Sequence, residues 1–111
     1  VTCPAFSITG EASTCNAVNN GLDLFSMMDT YQAIKVVDAD HCDFESPTDW
    51  ICESQCENAQ TTFTNEEIRP VIVTLGTAAV MSLTGLSADG ALVWTQGLED
   101  WTNSGLIQII E

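Results

Sequence analysis

Residues 36–50 read VVDADHCDFESPTDW, and this stretch decides how the chain is understood. An apolar run, Ile34, Val36 and Val37, ends abruptly in acids, and the single histidine, His41, stands four residues beyond Val37. Ala33 to Val37 is too continuously apolar for a half-exposed edge and fits a buried strand. In open α/β sheets the working groups collect on loops just past the carboxyl ends of strands, and His41 falls at such a place. A histidine so placed suits general-base chemistry. The plainer alternative is a surface histidine in an acidic loop.

Upstream, PAFSIT (residues 4–9) is a short apolar run closed by Gly10, the pattern of a buried strand and a turn. A polar, turn-rich stretch follows, and Leu22 to Met28 reads as a short helix. Downstream, Pro47 to Glu57 suits a helical turn with Cys52 and Cys56, four apart, on one face. Asn65, Glu66 and Glu67 place acids where a helix N-terminus favours them, and Pro70 fits the early turns of that helix. From Ile68 to Leu83 nearly every face is apolar, as in a helix covered on several sides. After Gly85 the chain turns through SADG, runs through ALVW and ends in LIQII. Strand, helix, strand, loop, helix is an α/β order. Two strands make no stable α/β sheet, so the chain is expected to be incomplete as a stand-alone domain, with Val71 to Leu83 packed against another polypeptide segment.

Bulk composition narrows the function classes. The 111 residues carry two basic and sixteen acidic side chains, a formal charge of −14. Without a basic patch to neutralise phosphates, direct nucleic-acid binding is excluded as a reading. A hydrophobic content of 45% argues for a packed core despite that charge. The chain begins at Val1, which suggests a mature chain freed of its signal or a piece of a longer one. Val71 to Leu86 is interrupted by threonines, serine and glycines and is short for a bilayer, so it is read as a buried helix and no membrane span is expected.

Five cysteines, at positions 3, 15, 42, 52 and 56, suggest an oxidising, extracytoplasmic setting (secreted or periplasmic), with one or two disulfides and an unpaired thiol. Cys42 beside His41 invites a thiolate–imidazole dyad, but neighbours on an extended loop point apart. A disulfide pinning the histidine loop is preferred, to Cys15 foremost and otherwise to Cys52 or Cys56, with Cys52–Cys56 as the second, local pair. A zinc site from His41, Cys42, Cys52 and Cys56 competes, although its spacing matches no common zinc framework. Asp38, Asp40, Asp43, Glu45 and Asp49 offer oxygen ligands for calcium, yet lack the central glycine and closing glutamate of an EF-hand loop; a solvated acidic loop is the default. No metal or cofactor is assigned.

The run DADHCDFESPTDWICESQC resembles the histidine loop of α/β-hydrolases of the chlorophyllase and dienelactone-hydrolase-like kind. CPAFSITGEASTCN is similar to that family's strand seven and the turn after it, IRPVIVTLGTAAVMSLTGL to its last large helix, and ALVWTQGLEDWTNSGLIQII to its C-terminal tail. The resemblance spans residues 1–111 but only the closing part of the family's domain, from strand seven to the tail. It implies that His41 is the triad histidine of a serine hydrolase acting on carboxylic esters. The nucleophilic serine would stand on an upstream segment or a second chain, because no G-x-S-x-G elbow is present. The nearest string, GLSAD, lacks the final glycine and follows a helix, which makes Ser87 a poor nucleophile. The acid would come from an upstream loop, with Glu11 as the fallback, while Asp38, Asp40 and Asp43 lie too close to His41 in sequence. By itself the chain would be inactive. The competing reading is a non-enzymatic, disulfide-stapled acidic domain with an assembly or cation-binding role.

Overall fold

The apolar segments on either side of the acidic loop do form neighbouring strands, and a third joins them. The computed structural model describes residues 4–12, 15, 27–56 and 62–110. Strand β1 (Ala5–Thr9) lies parallel to β2 (Tyr31–Val36), and β3 (Ile107–Ile110) runs antiparallel on the other side of β2. The order β1-β2-β3 puts β2 in the middle. A parallel pair needs a long crossover, for which residues 10–30 provide the length. Most of that crossover lies outside the described residues, including the helix expected to begin at Leu22.

After β2 come a 3₁₀ turn, η1 (His41–Phe44), and helices α1 (Trp50–Gln55), α2 (Asn65–Thr84), α3 (Asp89–Val93) and α4 (Glu99–Asn103). The result is a small mixed α/β domain with a three-stranded sheet. The two-strand count is therefore corrected: the terminal LIQII run supplies β3, pairing Ile107 with Val36 and Ile109 with Ile34. This antiparallel return comes from only four residues, too few for an alternation pattern to announce a strand.

Helix α2 starts on a reciprocal cap. Thr64 Oγ1 accepts from the Glu67 N–H, and Glu67 Oε2 accepts from the Thr64 N–H at 2.9 Å. It stops at Gly85, whose φ of 68° is left-handed and whose N–H reaches back to the carbonyls of Met81 and Ser82. Between these ends Ile68, Val71, Leu75, Ala78 and Ala79 are buried, at spacings that draw one stripe down the helix. That stripe lies on Ile34, Val36 and Ile107 of the sheet, with Phe6 and Ile8 beside them.

Within this chain the helix is covered along one stripe only. Val73, Val80 and Leu83 on the opposite face are exposed, so α2 is amphipathic in its burial though not in its composition. The chain's own sheet covers the buried stripe, and the exposed face is the part of Val71 to Leu83 to which the expected packing against another segment applies. By length and composition α2 also passes as a candidate membrane span, a test that core helices of soluble proteins pass as well.

The residues after α2 close the core. Trp94 is 3% exposed; its indole N–H donates to the Leu75 carbonyl at 3.0 Å and its ring meets Phe6 at a centroid distance of 4.7 Å. Helix α3 approaches α2 so closely at Gly90 that any Cβ there would strike the Ala78 carbonyl oxygen.

The single-stripe arrangement sets a contrast for mutagenesis. Leu75→Ala removes fully buried atoms and is expected to cost about 2–5 kcal/mol. Val73→Ala, two residues away on the exposed face, should stay within about 0.5 kcal/mol. Chemical denaturation of the two variants checks this, and equal losses would show that both faces of α2 are covered.

Candidate functional site

The site begins where β2 ends. Asp38 turns the chain with a φ of 64°, a left-handed conformation that aspartate tolerates better than most residues. Its Oδ2 accepts from the N–H groups of Thr62 (2.8 Å) and Phe63 (3.0 Å), which ties the end of β2 to the approach into α2. On the other side the Glu11 N–H donates to the Ala39 carbonyl at 2.7 Å. The Ala39 oxygen occupies the space where a Cβ on Gly10 would stand, so only glycine lets β1 deliver the chain this close to the histidine loop.

Asp40 and Asp43 then build the turn that carries His41. Asp40 Oδ1 accepts from the Cys42 N–H (2.9 Å), and Asp43 Oδ2 accepts from the Asp40 N–H (3.0 Å), a reciprocal cap of η1. The remaining Asp43 oxygen, Oδ1, accepts from Arg69 Nε on α2 at 3.0 Å. The Asp43 side chain has no solvent exposure. Burial pushes its carboxyl above the ordinary value near 3.8, and the nearby Asp40 charge adds to that; the Asp40 N–H and the Arg69 guanidinium pull the other way.

Two disulfides hold the turn from outside. Cys42 is bonded to Cys52 on α1 (Cα–Cα 5.8 Å) and Cys15 to Cys56 just beyond it (Cα–Cα 5.3 Å). Cys42 is thus in a disulfide as expected, but its partner is Cys52 and not Cys15, and the Cys52–Cys56 pair is not formed. Helix geometry explains the second correction. Side chains four apart on a helix have Cβ atoms about 5–6 Å apart, whereas a disulfide spans about 3.5–4.5 Å between Cβ atoms. Asp49 caps α1 by accepting from the Cys52 N–H at 2.9 Å, which keeps the two cysteines at helical spacing. With all four cysteines oxidised, the zinc set His41, Cys42, Cys52 and Cys56 is not assembled. Cys3 lies outside the described residues. Both bridges are compatible with an extracytoplasmic location.

The acidic loop is therefore solvated only in part: Glu45 and Asp49 are exposed. Asp38, Asp40, Asp43 and Asp49 each accept backbone N–H groups, and Asp40 and Asp43 are buried. Their carboxylates bind separate pieces of the loop and do not converge as calcium ligands would. Glu11 is held by Lys35, with Nζ at 3.1 Å from Oε1 and 3.2 Å from Oε2. Ser87 Oγ accepts from the Asp89 N–H at 3.2 Å, a structural role at the start of α3.

His41 itself is left open. Its side chain is 45% exposed, and its Nε2 lies 3.6 Å from Glu45 Oε1, a charge contact longer than a hydrogen bond. The ring borders an open hollow of about 240 Å³ that is lined also by Glu45, Asp49, Ile51, Cys52, Gln55 and Cys56. The arrangement can bind or shuttle a proton at an imidazole whose backbone is immobilised from four directions. Sequence reasoning overlooked three contributors. Glu45 was legible in the i, i+4 spacing from His41, and the Asp40–Asp43 cap in its D-x-x-D spacing before a turn. Arg69 carried no local signal, because its partner is 26 residues away.

Neither a protein-family model, nor a curated protein, nor a solved structure matches this chain.

The state of Asp43 should be visible in stability. Its carboxyl binds a proton more tightly folded than unfolded, so between the two titrations the native state holds more protons and stability falls as pH rises. The favourable contribution is full below about 3.8, the ordinary aspartate value, and is lost as pH climbs through the raised native one. Relative to Asp43→Asn, the wild type should lose stability over that window in pH-dependent denaturation. Arg69→Met removes the compensating cation and should cost about 2–4 kcal/mol at neutral pH.

Proposed function

We propose that this chain is the histidine-bearing, C-terminal part of a secreted or periplasmic α/β-hydrolase that cleaves carboxylic esters by a serine mechanism. The observation that carries the reading is the position of His41. Its half-exposed ring stands on a capped and stapled turn just beyond the carboxyl end of the middle strand, next to a parallel neighbour. The resemblance of DADHCDFESPTDWICESQC to the family's histidine loop supports the same assignment.

In this mechanism a serine on an upstream segment or a second chain approaches the hollow beside His41. The imidazole takes the hydroxyl proton as the serine attacks the ester carbonyl and returns it to the leaving alcohol. Asp40, Asp43 and the Cys42–Cys52 bridge hold the turn so that the ring can come within about 3 Å of the hydroxyl. The long Glu45 contact yields to a better partner at little cost, since exposed pairs contribute at most about 1 kcal/mol. The acid that orients the ring comes from the upstream segment. Glu11, with its carboxylate on Lys35, is the weaker choice.

A non-enzymatic role remains as a second reading, favoured by one observation: four of the acids around His41, Asp38, Asp40, Asp43 and Asp49, are accounted for by folding the loop. A single experiment separates the two. In the assembled protein, His41→Ala is expected to lower kcat/KM for p-nitrophenyl esters by about three orders of magnitude or more, with the thermal midpoint nearly unchanged. Retention of most of the turnover, or no esterase activity to lose, favours the stapled-domain reading.

A further inference from the structure

The exposed side of α2 carries apolar side chains that the chain itself does not cover. Val73 and Val80, seven residues apart on one face, are 64% and 59% exposed. Beside them α3 comes close to α2 at Gly90, and an open groove of about 270 Å³ lies between the two helices. Val73, Ala78, Met81 and Val93 form apolar walls. Leu83, Leu86 and Leu92, on the same two helices and the turn between them, are exposed as well. An apolar groove continued by exposed apolar side chains marks an interaction site. Its volume falls below the pockets that hold free ligands, about 300–1,000 Å³, and suits a few side chains of a larger partner. The groove shares no lining residue with the hollow beside His41.

Charge selects the partner. Asp89 is the charged group among the described residues of the lining. Glu66, seven residues before Val73 and exposed, stands on the same face of α2. Lys35 and Arg69 are engaged by Glu11 and Asp43, so neither balances the groove. A formal charge of −14 also opposes the approach of a second copy of this chain or of an anionic lipid surface. The same field draws cations.

We propose that the groove between α2 and α3 docks a basic amphipathic helix of a partner protein. Aliphatic side chains from one stripe of that helix fill the groove against Val73, Met81 and Val93. Lysine or arginine residues flanking the stripe meet Asp89 and Glu66. From Glu66 to Val80 the partner has about 21 Å of α2 to follow, or about four turns of its own. Burial of the stripe supplies the affinity, and the charges supply the approach and the choice of partner. The docking does not depend on the esterase reading, and its test reads binding alone.

The probe is a labelled peptide of leucine and lysine, about five helical turns or 18 residues long, with its leucines on one helical stripe. One control peptide has the same residues reordered so that no stripe forms, and another has glutamate in place of every lysine. In fluorescence anisotropy the native chain is expected to bind the striped peptide saturably, the reordered one at least about tenfold more weakly and the glutamate one not at all. Val73→Asp, at an exposed position, should weaken the striped peptide by at least about tenfold. Asp89→Asn should weaken it about two- to fivefold, whereas Glu53→Gln, the same change of charge at an exposed position of α1, should not. Circular dichroism checks that each variant folds; should one fail, the comparison of peptides on the native chain decides the matter. Equal binding of the striped and reordered peptides, or equal losses in Asp89→Asn and Glu53→Gln, would mean attraction by bulk charge alone and overturns the proposal. Undiminished binding by Val73→Asp overturns it too. Sedimentation of the native chain and flotation with neutral and anionic vesicles address the other occupants. A dimer, or an association with vesicles, that Val73→Asp abolishes would assign the groove to a second copy or to lipid and reject the basic helix.

Discussion

A single buried carboxylate, that of Asp43, joins the turn bearing His41 to the rest of the molecule. One oxygen closes η1 on the Asp40 N–H and the other receives Arg69 from α2, so the same side chain completes local structure and docks it. Charge burial of this kind is unfavourable unless every lone pair has work to do. Here the requirement is met in a way that leaves one geometry for the loop. If Asp43 is displaced, the turn loses its cap and α2 its tether together. The position of the histidine is then left to the Cys42–Cys52 bridge and to the backbone ties at Asp38, Ala39 and Asp40.

The distribution of charge follows the same logic. A chain with sixteen acids has two cations, and each is placed beside the histidine loop. Lys35 on β2 meets Glu11 at the exit of β1, and Arg69 on α2 meets Asp43. The first contact is half-exposed and weak; the second reaches a side chain with no exposure and is the stronger constraint. Among the described residues, Asp38, Asp40 and Asp49 accept backbone N–H groups in or beside the loop, and others stand in the first turns of helices, as with Glu66 and Glu67 in α2. A high net charge is tolerated because the attractive pairs stand where the chain must be held.

Much of the scaffold was legible. Continuous apolar runs marked β1 and β2, acids and Pro70 marked the start of α2, and Gly85 marked its end. The loop after β2 was also legible as the place to look, since strand ends are where side chains meet solvent beside a rigid support. What was hidden is long-range. The four-residue β3 depends on an antiparallel return across most of the chain. The buried stripe of α2 cannot be told from its exposed face by composition, because both are apolar. Asp38, Asp40, Asp43 and Asp49 read as solvated when each was considered alone; their actual roles depend on backbone N–H groups that only the folded loop brings near. The disulfide pairing failed for a related reason: proximity in sequence was taken for proximity in space, and the helix between Cys52 and Cys56 holds them apart.

That helix has a consequence for how the protein matures. Among the four paired cysteines, Cys52 and Cys56 are the closest in sequence and would meet most often in an unstructured chain. The native bridges close intervals of 10 and 41 residues, and the longer one carries an additional closure cost of about 1 kcal/mol. Once Asp49 caps α1, the short pairing is withdrawn, and each cysteine must find a partner that only the assembled strands and turn present. A six-residue helix thus sets the shortest pairing at a spacing a disulfide does not span, and leaves the cysteines to the two bridges that the folded strands and turn present.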